Sequence, residues 1–99
     1  MAKYDVYEHP DKSGYLLDVQ ADLLDQLNTR VVVPLLAKSR APKPATRLNP
    51  EFKLKGKQYV MVTQFIATVP RSILKDPVSN LREEFAEITS AIDMLIQGF

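Results

Sequence analysis

The sequence predicts an α+β domain in which an antiparallel sheet is completed before a single long helix at the C-terminus. Three observations predict it. Runs rich in β-branched and aromatic residues, broken by turn formers, occupy residues 3–70. One stretch of helical periodicity covers 80–97. The strands come first and the helix last, an order that belongs to α+β architectures. At 99 residues the chain makes one domain, spanning 1–99.

Residues 3–7, KYDVY, alternate polar and apolar, as a half-buried strand does. HPDKSG (9–14) is dense in turn formers, so YLLDV (15–19) is expected to return as the second strand of a hairpin. DLLDQLN (22–28) is too short for a stable helix and reads as one helical turn or a structured loop. RVVVPLL (30–36) has the character of a buried strand. Its Pro34 cannot donate to a ladder and marks an edge position, a bulge or the strand's end.

APKPATRLNP (41–50), with three prolines and no periodicity, is a loop. FKLKGKQYVMV (52–62) reads as a hairpin turning near Gly56, with Phe52, Leu54 and Tyr59 facing the core. QYVMVTQFIATVP (58–70) is one bent strand or two short ones, ended by Pro70, and RSILKDPV (71–78) is a short strand or turn. In NLREEFAEITSAIDMLIQ (80–97), Asn80 and Glu83 resemble a capping box. Leu81, Phe85, Ile88, Ile92 and Leu95 fall on one stripe that should face the sheet. Gly98 is the residue expected just past a helix end.

Composition removes several classes of function. With 45% hydrophobic and 25% charged residues the chain is globular rather than disordered. No cysteine means no disulfide framework, thiolate metal site or thiol nucleophile, which suits a reducing compartment. The opening MAKYDVYEHP lacks the apolar segment of a signal peptide, and the longest apolar run, VVVPLLA (31–37), is far too short to span a membrane. A cytoplasmic protein is expected.

Net charge is only +1, yet residues 38–57 carry seven bases (Lys38, Arg40, Lys43, Arg47, Lys53, Lys55, Lys57) against Glu51 alone. Such a stripe is either a solvated loop and hairpin face or an attractor of nucleic acid or an acidic peptide. Signals of catalysis are poor. No glycine-rich phosphate loop or metal-spaced histidine pair is present, and His9, the single imidazole, lies in a turn. A metal-free nuclease built on Arg71, Asp76 and His9 is conceivable, although nothing in their spacing selects it. No catalytic residue, metal or cofactor is expected.

Two features point instead to binding. The neighbours Leu23 and Leu24, bracketed by Asp22 and Asp25, cannot both face one core in either regular period, so at least one should be exposed. The sequence ends AIDMLIQGF, placing Phe99 as a cap or core residue or as a group held out to a partner.

DVQADLLD (18–25), NTRVVVPL (28–35), MVTQFIATVP (61–70) and NLREEFAEITSAIDMLIQGF (80–99) together resemble the CcdB family of toxins from bacterial toxin–antitoxin modules. The resemblance runs in order over nearly the whole chain and is weakest across 38–57. It implies a compact SH3-like antiparallel sheet, of the kind shared with MazF/Kid toxins, with a long C-terminal helix and a two-fold homodimer. It further implies a toxin that binds the A subunit of DNA gyrase and traps the gyrase–cleaved DNA complex, acting by binding alone.

Carried over residue by residue, the gyrase contacts fall on Leu23, Leu24, Asp93, Ile96, Gln97, Gly98 and Phe99. An antitoxin of the CcdA type is implied as partner, with His9, Lys12, Ser13, Lys43 and Arg47 as candidate contacts. No direct nucleic-acid contact and no membrane are expected. The familiar Trp-Gly-Ile ending of the family is here Gln97-Gly98-Phe99. Losing an indole removes a possible cation stack worth roughly 0.5–2 kcal/mol. A MazF/Kid-like mRNA endonuclease, or an inactive CcdB relative, is the alternative.

Overall fold

A computed structural model describes residues 1–98. Seven strands form one antiparallel sheet: β1 (Asp5–Glu8), β2 (Gly14–Asp18), β3 (Thr29–Ala37), β4 (Glu51–Leu54), β5 (Lys57–Met61), β6 (Ala67–Pro70) and β7 (Ser79–Asn80). The order is β4-β5-β3-β2-β1-β7, with β6 also on β3. The helix α1 (Phe85–Gln97) follows, and the sheet curves into a nearly closed, SH3-like barrel.

β3 organises the barrel. One side pairs with β2 along its length, from Gly14 opposite Leu36 to Asp18 opposite Val32. The other side changes partner midway: Thr29–Val32 pair with β6, and Leu35–Ala37 with β5. Pro34 stands at that change. Its carbonyl accepts from Val62 N at 3.0 Å, so its missing N–H faces the place where one neighbour ends and the next begins. Pro34 therefore sits inside a nine-residue strand without ending it.

The β4–β5 hairpin turns on Lys55 and Gly56, both with positive φ (50° and 82°), as a two-residue primed turn requires. Gly14, where β2 starts, is needed for another reason: a Cβ there would lie 2.4 Å from the Leu35 carbonyl oxygen.

Strand alternation sends side chains to two cores. Val6, Leu17, Val33, Leu35, Phe52, Leu54 and Met61 pack beneath Leu81, Ile88 and Ala91. Tyr7, Leu16, Val32 and Leu74 form a smaller cluster on the other face, joined by Val69 and Ile73. Phe52 and Leu54 are buried as expected, and Tyr59 packs against the main core.

The helix differs from expectation. It begins at Phe85, after a 3-10 turn over Arg82–Glu84, rather than at Asn80. Asn80 lies in β7, where its Oδ1 accepts from Arg82 N at 2.8 Å; the 3-10 turn itself starts after Leu81 without a side-chain cap, and no capping box forms. The break changes the helical phase. Leu81 still reaches the core from outside the helix, but Phe85 is 57% exposed. The buried seam is Ile88 and Ala91, flanked by half-buried Ile92 and Leu95.

The proline-containing loop between β3 and β4 is pinned from within. Buried Asn49 donates to Met61 O (3.0 Å) and Gln64 Oε1 (2.8 Å), and its Oδ1 accepts from Ala45 N. Thr63 Oγ1 donates to Leu48 O.

Candidate functional site

Among the described residues, the segment joining β2 to β3 carries the most exposed large apolar side chain. Ala21 N-terminally and Asp25 C-terminally bound a single 3-10 turn, Asp22–Leu24, in which Leu23 is 91% exposed. Leu24 and Leu27 are each about half exposed. A mobile loop could leave leucines in water by default, but the backbone of this one is tied from several sides.

Gln20, almost fully buried, holds both ends. Its Nε2 donates to Leu24 O at 2.8 Å, and its Oε1 accepts from Val31 N at 3.1 Å. Gln20 is held in turn by its own N–H on Asp18 Oδ1 at 3.0 Å. Arg71 Nη1 donates to Asp25 O at 2.6 Å, and Lys3 N to Asp22 Oδ1 at 2.8 Å. The carbonyls of Leu24 and Asp25 are thus held by side chains from elsewhere in the fold, while Leu23 and Leu24 remain exposed. That arrangement presents apolar area at low ordering cost to a binder.

Beneath the turn, Asp18 and Arg30 form an ion pair with neither side chain exposed: Nη2 lies 2.6 Å and Nε 2.9 Å from Oδ2. Burial pushes the Asp18 carboxyl above its ordinary value, against the opposing pull of the Gln20 N–H and the guanidinium. Tyr7 shares this face. Burial, then the Asp5 and Asp18 carboxylates, push its phenol from 10.0 up to about 12. Gln20, Arg71 and Leu27 carry no signal in the sequence, because only the fold brings the two polar anchors to the turn.

The second group of expected contacts lies at the end of α1. Gly98 takes the left-handed conformation (φ 83°) and donates to Asp93 O (3.2 Å) and Met94 O (3.1 Å), closing the helix. Ile96 is 70% exposed, Gln97 and Gly98 are exposed, and Asp93 is half-buried. Phe99 lies outside the described residues.

The expected antitoxin contacts divide in two. His9, Lys12 and Ser13 belong to the β1–β2 turn, where His9 Nδ1 is 2.7 Å from Asp11 Oδ1 and Ser13 N donates to that same oxygen at 2.8 Å. Ser13 accordingly holds the Asp11 carboxyl below its ordinary value. Arg47 instead lies on the helix, donating through Nε and Nη2 to Ser90 Oγ at 3.3 and 3.2 Å. Lys43 is exposed in the loop between β3 and β4.

The three-residue nuclease group does not assemble. His9 and Asp76 line one cleft of about 420 Å³. Arg71 is bound to Asp25 and Asn28 at the leucine turn. Among the described residues no cluster of three His, Asp or Glu is placed to hold a metal ion, and no helix is long and apolar enough to cross a membrane.

Comparison with known proteins agrees with this architecture. A solved structure named as an endoribonuclease from mycobacterial species superimposes with a TM-score of 0.77 over 97% of this chain and 90% of that one. At 16% identity this likeness shows a common fold and nothing of function. A family model described as CcdB protein matches residues 3–98, essentially the entire chain, with the leucine turn and the helix end inside it. The chain belongs to the CcdB family.

Proposed function

We propose that this protein is the toxin of a bacterial toxin–antitoxin module and acts by docking on the A subunit of DNA gyrase, trapping the enzyme on cleaved DNA. The observation that carries the reading is Leu23, 91% exposed on a turn whose backbone carbonyls are held by Gln20 and Arg71 and whose Asp22 side chain accepts from Lys3 N. Membership of the CcdB family supports the target. In this reading Leu23 and Leu24 contact gyrase together with Asp93, Ile96, Gln97, Gly98 and Phe99. A cytoplasmic homodimer doubles the surface for a two-fold target.

The mechanism needs no reacting group. Apolar side chains on a rigid frame bind one conformation of gyrase better than the others, and that difference in affinity shifts the population toward the trapped state. Leu23 and Ile96 supply buried area, while the exposed Gln97 supplies a hydrogen-bonding amide where the family's usual ending has an indole. A CcdA-type antitoxin would neutralise the toxin through an acidic segment that orders on it, with His9, Lys12, Ser13, Lys43 and Arg47 as its contacts.

A DNA-cleavage assay with purified gyrase tests the reading. The intact protein should accumulate cleaved DNA, and deletion of residues 97–99 should abolish this while leaving fold and dimer unchanged. Trapping by the truncated protein would overturn the site. Charge reversal at Lys43 and Arg47 should weaken antitoxin neutralisation more than trapping; equal loss of both would remove the separate antitoxin site.

A further inference from the structure

Leu27 belongs to the leucine turn but to none of the contacts assigned above. It is about half exposed, and one residue fixes the backbone on both sides of it. Arg71 Nη1 donates to Asp25 O at 2.6 Å before it, and Arg71 N donates to Asn28 O at 2.8 Å just after it. The N–H of Leu27 donates to Leu24 O at 3.2 Å, and that oxygen also accepts from Gln20 Nε2. The bond from 27 back to 24 closes a β-turn, whose end residues lie under ~7 Å apart. Leu23, Leu24 and Leu27 therefore emerge from one short, fixed span of backbone.

A single exposed leucine is ordinary on a protein surface. Three within five positions, on a frame held by Gln20 and Arg71, form an ordered apolar patch, and such patches mark contact sites. The rim of this patch is acidic. Asp22 and Asp25 flank the leucines, and neither is in a salt bridge among the described residues. A second copy of the same turn would set carboxylate against carboxylate, and nucleic-acid phosphates would be repelled in the same way. The surface that fits is a protein recess, apolar inside and bordered by lysine or arginine.

We infer that Leu27 is a third apolar anchor for the gyrase A subunit, and that Asp22 and Asp25 steer the approach toward cations around the recess that takes the leucines. The inference rests on the gyrase reading above and adds to it a contact residue and the charge of the facing surface. The two groups act on different rates. Burial of Leu27 holds the complex once it has formed, so its loss shows in dissociation. Rim carboxylates act at longer range, so their loss shows in association and in its dependence on salt. Leu27 also adds apolar area to a docking surface that has Gln97 where the family's usual ending has an indole.

The test is the binding kinetics of the full-length protein on immobilised, purified gyrase A subunit at 50 and 200 mM salt. A half-exposed leucine has roughly half of its burial still to gain, so Leu27→Ser should dissociate roughly threefold to tenfold faster. Leu27→Gln, which keeps the side-chain stem, should do the same with an unchanged melting temperature, and Leu27→Met should dissociate as the parent does. Asp22→Asn with Asp25→Asn retains the acceptor for Lys3 N and the carbonyl that Arg71 holds. That variant should associate several-fold more slowly at 50 mM salt, with a smaller difference at 200 mM, where screening is stronger. Parental dissociation of Leu27→Gln, a fall in its melting temperature in step with its binding, or parental association of the aspartate variant at 50 mM salt would each overturn the inference. The gyrase reading would survive any of these, because the parent still binds. Absence of binding by the parent would instead overturn the gyrase reading, and this inference with it.

Discussion

Arg30 and Asp18 bind one another across β2 and β3 with no solvent on either side chain, the guanidinium Nη2 lying 2.6 Å from Oδ2. Nη1 has no hydrogen-bond partner among the described residues, and Nη2, although close, is not aligned for a hydrogen bond. A buried pair left partly unsatisfied is weak as a source of stability and costly to break. Its position gives it another consequence: Asp18 also holds Gln20, which holds the leucine turn.

Removing one partner should therefore destabilise the protein strongly, and removing both should not. Arg30→Ala leaves a buried, uncompensated carboxylate and is expected to cost ~3–5 kcal/mol in urea unfolding. Asp18→Leu with Arg30→Met should recover most of that loss. The double variant should nevertheless exchange the Leu24 amide faster, because Gln20 has lost its anchor. Unchanged exchange would show that Gln20 is held without Asp18.

Tyr7 sets a limit at alkaline pH. Its phenol titrates near 10.0 when unfolded and at about 12 when folded, so the folded state binds the proton more tightly. The associated stability is complete below the unfolded value and is lost as pH rises through the folded one. At ~1.4 kcal/mol per pH unit this is on the order of 3 kcal/mol. Urea midpoints measured from pH ~9 to ~12 should fall more steeply for the parent than for Tyr7→Phe. Parallel curves would be inconsistent with this role.

The helical phase can be read by truncation. Ile88→Ala empties a site in the main core and should cost ~2–5 kcal/mol. Phe85→Ala, on the exposed flank, should cost under ~1 kcal/mol despite removing the larger side chain. Similar losses at both positions would restore the stripe through Phe85.

Leu23 should separate stability from docking. Since it is 91% exposed, Leu23→Ser should leave thermal stability within ~0.5 kcal/mol of the parent. If it is an interface anchor, gyrase trapping should weaken tenfold or more, equivalent to ~1.4 kcal/mol. A parallel fall in stability and trapping would mean that Leu23 serves its own fold.

Much of this was legible locally. The turn at Gly56 follows from a backbone that needs positive φ, and the strands follow from alternation at KYDVY and EFKL. That at least one of Leu23 and Leu24 is exposed followed from two adjacent leucines that cannot both face one core; both are exposed, Leu23 by 91%. Gly98 as a helix cap needed only its missing Cβ. These are short-range constraints, and residue types state them directly.

What the tertiary structure alone decided is where distant residues meet. Pro34 could sit inside β3 because two different strands share that strand's edge. Phe85 left the core because a 3-10 turn shifted the phase of α1, set by the docking of Leu81 rather than by periodicity. The basic stretch at 38–57 came apart, with Arg47 drawn to Ser90 and Arg40 and Lys55 brought beside Lys12. Charge has no preferred partner along a chain, so only the closing of the barrel determines which cations face the same groove.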